Sequence, residues 1–340
     1  MPRIRAQPED FVVEELPLFP PTGEGTHTHL WIEKRLRTTD DVARDLARAV
    51  GVPPREVGYA GRKDRHAVTR QWFSVPELAP EQARGLELPD ARVLDAVRHT
   101  HRLRVGQLRG NRFRLRVREV DAEDAERAAE RLDELRRRGL PNRFGRQRFG
   151  RDGGNVARGT EMLRGGRLRG DRRQALLMIS ALQSAVFNQV LDARADSYDR
   201  LLEGDVAMTH ATGLCFPVRE PEAETERLAS FEVSPTGPIF GTKMQRPRGA
   251  AAAIEDAAMA RFDLPPASAL ALPRELRLHG GRRPLRIRLE DVRSDWDDGV
   301  MGLDFTLPAG SYATILVAEL FPGKLEEGTN DLPEDADEAH

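Results

Sequence analysis

One stretch of this chain has the residue types and spacing to do chemistry: Tyr59-Ala60-Gly61-Arg62-Lys63-Asp64-Arg65-His66. It sets one carboxylate, Asp64, among three cations. Strand-like residues flank it, Val57-Gly58-Tyr59 before and Gln71-Trp72-Phe73-Ser74-Val75 after. Gly61 admits a tight turn or a close backbone approach. Lys63 and Arg65 favour the charged carboxylate, which suits a nucleophile or a base better than an acid. The same run also suits a solvated turn. Composition adds weight to the chemical reading: of 53 basic residues only Lys34, Lys63, Lys243 and Lys324 are lysines. A compact ammonium is not interchangeable with a planar guanidinium at a tight site, and this arginine-rich chain has a lysine next to Asp64.

The elements that must position this loop follow from periodicity. Strands are expected at residues 11–15 and 30–34, joined by a Pro/Gly loop at 17–25. Thr39 or Asp40 caps a helix with Val42, Leu46, Ala49 and Val50 on one side, and Gly51 stops it. Residues 113–118 alternate, with Phe113, Leu115 and Val117 inward. Asp121 caps a helix to residue 138. From residue 168 the texture becomes helix-rich, with a long helix over 172–195, an irregular Pro/Gly region around 234–241 and a helix over 250–262. Strands return at 285–289 and 301–307, and a helix over 312–320 closes the series. A helix-rich stretch between two strand-bearing parts predicts an α+β chain whose sheet domain carries an insertion.

At 340 residues the chain exceeds the usual single-domain size, and two domains are expected. Its formal charge of −2 hides an asymmetry. Residues 325–340 hold seven acids and no base, which leaves 53 basic against 48 acidic residues in the body. The tail has too few apolar groups to fold and is expected to be disordered. Residues 98–118 hold eight arginines and no acid, and residues 137–173 hold twelve against three acids. Such clusters are the electrostatic footprint of a phosphate-backbone partner. Asn142-Arg143-Phe144-Gly145-Arg146-Gln147-Arg148-Phe149-Gly150 interleaves an amide and aromatics with cations. Aromatics of this kind stack on bases, and amides read base edges. Both phenylalanines would serve equally as core residues after a helix end.

Other classes lose support. A single cysteine, Cys215, allows no internal disulfide and reads as a core thiol, which fits a reducing cytoplasm. No signal peptide is legible, and no apolar run approaches membrane-spanning length. His27-x-His29 and His99-x-His101 pair imidazoles on strand faces without an obvious third ligand, so no metal is expected. No nucleotide-binding glycine motif is present, and no cofactor is expected. Ser311 reads as a helix cap with an anion site as the alternative. A non-catalytic RNA binder would not need Asp64, and a carboxylate-dependent hydrolase would need a second carboxylate or a metal.

Taken together, Pro8-Glu9-Asp10-Phe11-Val12-Val13-Glu14, Gly23-Glu24-Gly25-Thr26-His27, the Asp64 loop, the block opening at Asn142, and Phe305-Thr306-Leu307-Pro308-Ala309-Gly310-Ser311-Tyr312-Ala313-Thr314 resemble the TruD family of pseudouridine synthases. Five separate segments in order make the resemblance specific. It implies an α+β fold in which a mixed-sheet pseudouridine synthase core, residues 1–167 and 280–325, is interrupted by an inserted TRUD domain at 168–279. Residues 326–340 remain as the acidic tail. It implies that Asp64 is the catalytic aspartate and that Phe11, Lys63, Asn142, Phe144 and Phe305 contact the substrate. It further implies isomerisation of uridine 13 of transfer RNA without a cofactor, by a cytoplasmic protein expected to be a monomer.

Overall fold

The computed structural model describes residues 1–164, 171–270, 272 and 276–327. They form two compact units, residues 1–133 with 289–327, and residues 134–288. The first unit runs through β1 (Arg3–Ile4), β2 (Phe11–Pro17), β3 (His27–Arg35), α1 (Thr39–Val50), β4 (Gly58–Tyr59), β5 (Val68–Pro76), α2 (Pro80–Arg84), β6 (Glu87–Leu88), β7 (Ala91–His99), β8 (Leu108–Arg118) and α3 (Ala122–Arg138). The second holds β9 (Leu140–Pro141), α4 (Gly154–Leu163), α5 (Arg172–Ala193), β10 (Val206–Thr209), β11 (Cys215–Pro217), α6 (Thr225–Ala229), β12 (Val233–Ile239), α7 (Gly249–Ala260), β13 (Gly281–Pro284) and β14 (Arg286–Ile287). The chain then returns to the first with β15 (Glu290–Asp297), β16 (Val300–Pro308), α8 (Ala313–Leu320) and β17 (Glu326–Glu327).

The first unit is built on an 11-stranded mixed sheet with the main order β15-β16-β8-β2-β5-β3-β7-β6. β2 and β5 run parallel and carry the Asp64 loop at one end of β5, while β4 pairs with β5 beyond that loop. Alternation sends Phe113, Leu115 and Val117 of β8 inward, as the sequence predicts. Arg114 and Arg116 between them are exposed. Val42 and Leu46 of α1 pack on Leu30, Ile32, Phe73 and Val75. The α1 cap is Thr38, one residue earlier than expected: its hydroxyl accepts the Asp41 N–H, and Asp41 returns the bond to the Thr38 N–H. Gly51, at φ 77°, ends the helix.

In the second unit, α5 is the core helix. Ile179, Leu182, Val186, Phe187 and Val190 are buried with Met162 of α4 and Met259 of α7. By length and composition α5 is apolar enough to cross a membrane, which corrects the expectation that no such run exists. Its burial is that of a core helix. A four-stranded antiparallel sheet follows the order β11-β10-β12-β13. Its strand β12 occupies the region expected to be irregular. In register, residues 233–235 pair with β10 and residues 236–239 with β13, so Pro238 sits where one side of the strand is unpaired. Pro235 faces Ala207 of β10, and its carbonyl accepts the Leu285 N–H at 2.8 Å on the other side.

The unit boundaries differ from the expected 168 and 279. β9 pairs with β14, and Asn142 N–H donates to Leu285 O at 2.9 Å, which ties residues 140–142 to 285–287. Two-residue strands of this kind have no periodicity to detect. At the C-terminus, Glu326 and Glu327 pair in parallel with Arg3 and Ile4. These two residues are strand rather than tail, and the rest of the tail lies outside the described residues. Cys215 is half-buried in β11 rather than a core thiol. Ser311 does not cap α8, whose N-cap is Tyr312.

Strand register also joins the two histidine pairs. His27 of β3 faces His99 of β7, the His29 and His99 rings lie 4.3 Å apart, and His101 follows at 6.3 Å from His99. Among the described residues no group of three His, Cys, Asp or Glu is set to hold a metal. Burial pushes His29 down to about 4 from its ordinary 6.5, against the opposing pull of its bond to His101 O, with His99 and His27 adding repulsion. The unfolded chain therefore takes up this proton below about 6.5 while the folded chain resists until about 4. Stability present above the upper value should be lost as pH falls through that window. The melting temperature of His29→Asn should fall less steeply over the same range. Identical acid limbs would assign the loss to other groups.

Candidate active site

The Asp64 loop is held from beneath by its main chain. Lys34 of β3, 1 % exposed, sends its ammonium to the carbonyls of Arg37 (2.5 Å), Asp64 (2.9 Å) and Lys63 (3.3 Å). Thr39 Oγ1 accepts the Lys63 N–H at 2.9 Å and donates to Gln71 Oε1 at 2.8 Å. Gln71 Nε2 in turn donates to Gly61 O at 3.0 Å. Residues 61, 63 and 64 are thus each fixed by a different buried side chain. With the backbone pinned inward, the Asp64 carboxylate turns outward and is 28 % exposed. Arg5 donates from Nη2 to its Oδ2 at 3.0 Å. Arg5 reaches it from a left-handed backbone, φ 57°, a conformation that costs a bulky residue about 1–3 kcal/mol and clusters at functional sites.

The flanking residues differ from expectation. The Lys63 ammonium forms a buried ion pair with Glu15 at 2.7 Å. Arg62 pairs with Asp40 at 3.1 Å. The close backbone approach lies at Gly58, where a Cβ would stand 2.3 Å from Leu103 O, and not at Gly61, which has room for one. Phe11 and Phe305 are 1 % and 0 % exposed. They flank Phe113 in a ladder across β2, β8 and β16, with ring centroids 6.3 and 5.3 Å apart. The Arg5 guanidinium lies 4.3 Å over the Phe11 ring, so the ladder ends on the cation that holds Asp64.

Asp64, Phe11, Lys63 and Phe305 belong to the first unit, and Asn142 and Phe144 to the second. Asn142 is buried. Its Nδ2 donates to Pro284 O at 2.9 Å and its Oδ1 accepts from Arg283 at 2.5 Å. Phe144 is half-buried and meets Phe187 edge-on at 5.5 Å, with the Arg283 guanidinium 4.1 Å from its ring. Asn188 of α5 clamps its backbone, accepting the Phe144 N–H and donating to the Phe144 carbonyl, both at 3.0 Å. Phe144 therefore combines a core contact with partial exposure.

Sequence reasoning missed Arg5, Lys34, Thr39, Gln71 and Asn188. Two carried a signal in their scarcity: Lys34 is one of four lysines and Asn188 one of five asparagines. The arginine-rich strand β8 is less free than its local sequence suggests. Arg112 makes a two-pronged pair with Asp304 of β16, both bonds 2.8 Å, and Arg118 does the same with buried Asp10. The Arg112 bond holds the Asp304 carboxyl below its usual range. Their acids come from neighbouring strands and segments far away in sequence.

A carboxylate anchored by one guanidinium on a pinned loop is equipped to act as a nucleophile or base. The family model of tRNA pseudouridine synthase D (TruD) matches residues 2–168 and 169–320. The chain is 41% identical to tRNA pseudouridine synthase D of Geobacter metallireducens, covering 94% of this chain and 95% of that one. It is 43% identical to a protein of the same name from Thermus thermophilus, over 93% and 88% of the two chains. A crystal structure of a putative tRNA pseudouridine synthase D from Methanosarcina mazei shares the fold, with a TM-score of 0.80 at 21% identity over 95% of this chain and 94% of that one. The fold match, the family model across both units and relatives at this identity over most of their length lead to one conclusion: this chain belongs to the TruD family.

Proposed function

We propose that this chain isomerises uridine to pseudouridine in transfer RNA, at position 13, with Asp64 as the catalytic carboxylate. The observation that carries this reading is the Asp64 loop, whose main chain is pinned by Lys34, Thr39 and Gln71 while its carboxylate stays accessible. Pseudouridylation breaks the N1–C1′ bond, turns the uracil and rejoins it through C5, whose hydrogen leaves as a proton. No electrons are gained or lost, so the reaction needs no redox partner. It needs a carboxylate fixed beside the sugar, either to attack C1′ or to draw a proton from C2′. Arg5 holds one carboxylate oxygen and leaves the other for that step.

The remaining residues take separate parts. Phe11 and Phe305 work from below, seating Arg5 through the aromatic ladder. Lys63 anchors the loop through Glu15. In the second unit, Phe144 offers a ring to a base of the RNA. The Asn142 amide retains one further donor hydrogen and one lone pair for a base edge. The target base must leave its stack, and arginine contacts to phosphates help offset that cost. The reading includes a monomer that works in the cytoplasm without a cofactor.

Asp64→Asn should abolish tritium release from transfer RNA labelled at C5 of uridine and leave the dissociation constant for that RNA unchanged. Residual turnover in a deamidation-free preparation would remove Asp64 from the mechanism. Loss of binding with an intact fold would make it a docking residue.

Lys34→Met should lower kcat with KM unchanged, because the loop carbonyls lose their common donor while the RNA-binding surface is untouched. A wild-type kcat would show that the loop keeps its shape without the ammonium.

Phe144→Ala should weaken RNA binding by about 1–3 kcal/mol, the value of one base stack. Early melting with full specific activity would instead assign the ring wholly to the core cluster around Phe187.

A further inference from the structure

The second unit contains a cavity of about 330 Å³ beside Phe144 whose walls differ from those of its larger neighbour. The larger one, about 1220 Å³, sets four carboxylates, Asp152, Glu161, Asp192 and Asp263, against three guanidiniums, and offers an anion no net attraction. None of the nine residues lining the smaller cavity carries a carboxylate, and three are arginines. Arg282 turns inward to the buried carboxylate of Glu255, at 2.6 and 3.1 Å. The described side-chain hydrogen bonds of Arg148 and Arg283 include ones to polar, uncharged groups. Arg148 reaches the hydroxyls of Ser184, at 3.4 Å, and of Ser180. Arg283 reaches the Asn142 oxygens. The two guanidiniums lie 6.0 and 4.1 Å from the centre of the Phe144 ring. Ser180 and Ser184 stand four residues apart on one face of α5, and the Ser184 hydroxyl donates its hydrogen to Ser180 O at 2.9 Å, which leaves the Ser180 hydroxyl as the one with a hydrogen to give.

Guanidinium forks and a hydroxyl around a space at the small end of ligand pockets suit a tetrahedral oxyanion. We propose that this cavity binds a phosphodiester of the substrate RNA strand, gripped by Arg148 and Arg283 with the hydroxyl of Ser180. The inference rests on the reading of this chain as an RNA-modifying enzyme and adds a site to it. A base on the Phe144 ring and a phosphate in the cavity would be neighbours along one strand. Phosphate contacts set the register of a nucleic acid without reading its sequence. The pair would therefore fix which nucleotide meets Phe144, whatever the bases around it.

The test is a double-mutant cycle in which one partner is the RNA. A short hairpin carrying the target uridine is made with each phosphodiester in turn replaced by an uncharged methylphosphonate, and dissociation constants are measured by fluorescence anisotropy. For the wild type, one linkage should cost roughly tenfold or more in affinity, the range of a hydrogen bond to a charged group. For Arg148→Gln the same replacement should cost almost nothing, and the slope of log K against log salt should fall by about 0.7. Arg148→Lys, which keeps the charge and spares the hydroxyl contacts, should regain sensitivity at that linkage and guards against a folding defect. Equal losses in wild type and Arg148→Gln at every linkage, with tritium release intact, would overturn the site and leave the enzymatic reading standing. Inhibition by inorganic phosphate with no linkage standing out would make it a small-anion site and overturn the assignment to the strand. Failure of the wild type to bind any RNA would sink the functional reading itself.

Discussion

The Lys34 ammonium is the point on which the first unit's chemistry depends. A lysine buried to 1 % exposure must find oxygen partners, and this one takes three main-chain carbonyls, two from the Asp64 loop and one from Arg37 in the turn between β3 and α1. Satisfying that charge dictates the loop's path. Carbonyls at 63 and 64 must point inward, so the Asp64 side chain must point out. Thr39 and Gln71 close the remaining backbone valences, which keeps the loop from adopting the solvated turn its composition would also permit. A buried cation is costly, and here the cost purchases direction for a carboxylate.

Much of this was legible in the sequence because it depends on local pattern. The strands around Asp64, Val42 and Leu46 on α1, and the alternation in β8 all follow from periods of 3.6 or 2 within short windows, though Ala43 and Ala47 are buried on α1 where Ala49, expected inside, is exposed. Asp64 itself stood out by type and company. What stayed hidden depends on residues that meet only after folding. Lys63 reads as a partner for Asp64 because it is adjacent, yet the β-strand pairing brings Glu15 within its reach and turns it inward. Arg5 lies 59 residues from Asp64 and has no local mark. Phe11 and Phe305 read as pocket residues, while register places Phe113 between them and seals all three.

Charge shows the same division. The acid-free run over 98–118 is real as sequence, but a strand's electrostatics belong to its neighbours as well. β2 and β16 supply Glu14 and Asp304 across the ladder from Arg112 and Arg114, and Asp10 meets Arg118. The residues lining the small cavity of the second unit include three arginines and no acid, and of the three Arg282 meets the carboxylate of Glu255. A local count of arginines therefore overstates the footprint on β8 and finds only Arg148 of the cavity. The proline-bearing β12 is a further case, since its two halves find their register with different partner strands.

The pairing of β1 with β17 has a consequence for biogenesis. Arg5 leaves directly from β1, whose two residues lean on Arg118 of β8 from one side and on Glu326 and Glu327 from the other. During vectorial synthesis the Asp64 loop and its lysine emerge early, but the strand that aims Arg5 lacks its second neighbour until residue 327 has left the ribosome. The cation that orients the carboxylate is thus among the last parts of the first unit to be secured. A nascent chain would carry a formed loop and an unclamped aspartate for most of its translation.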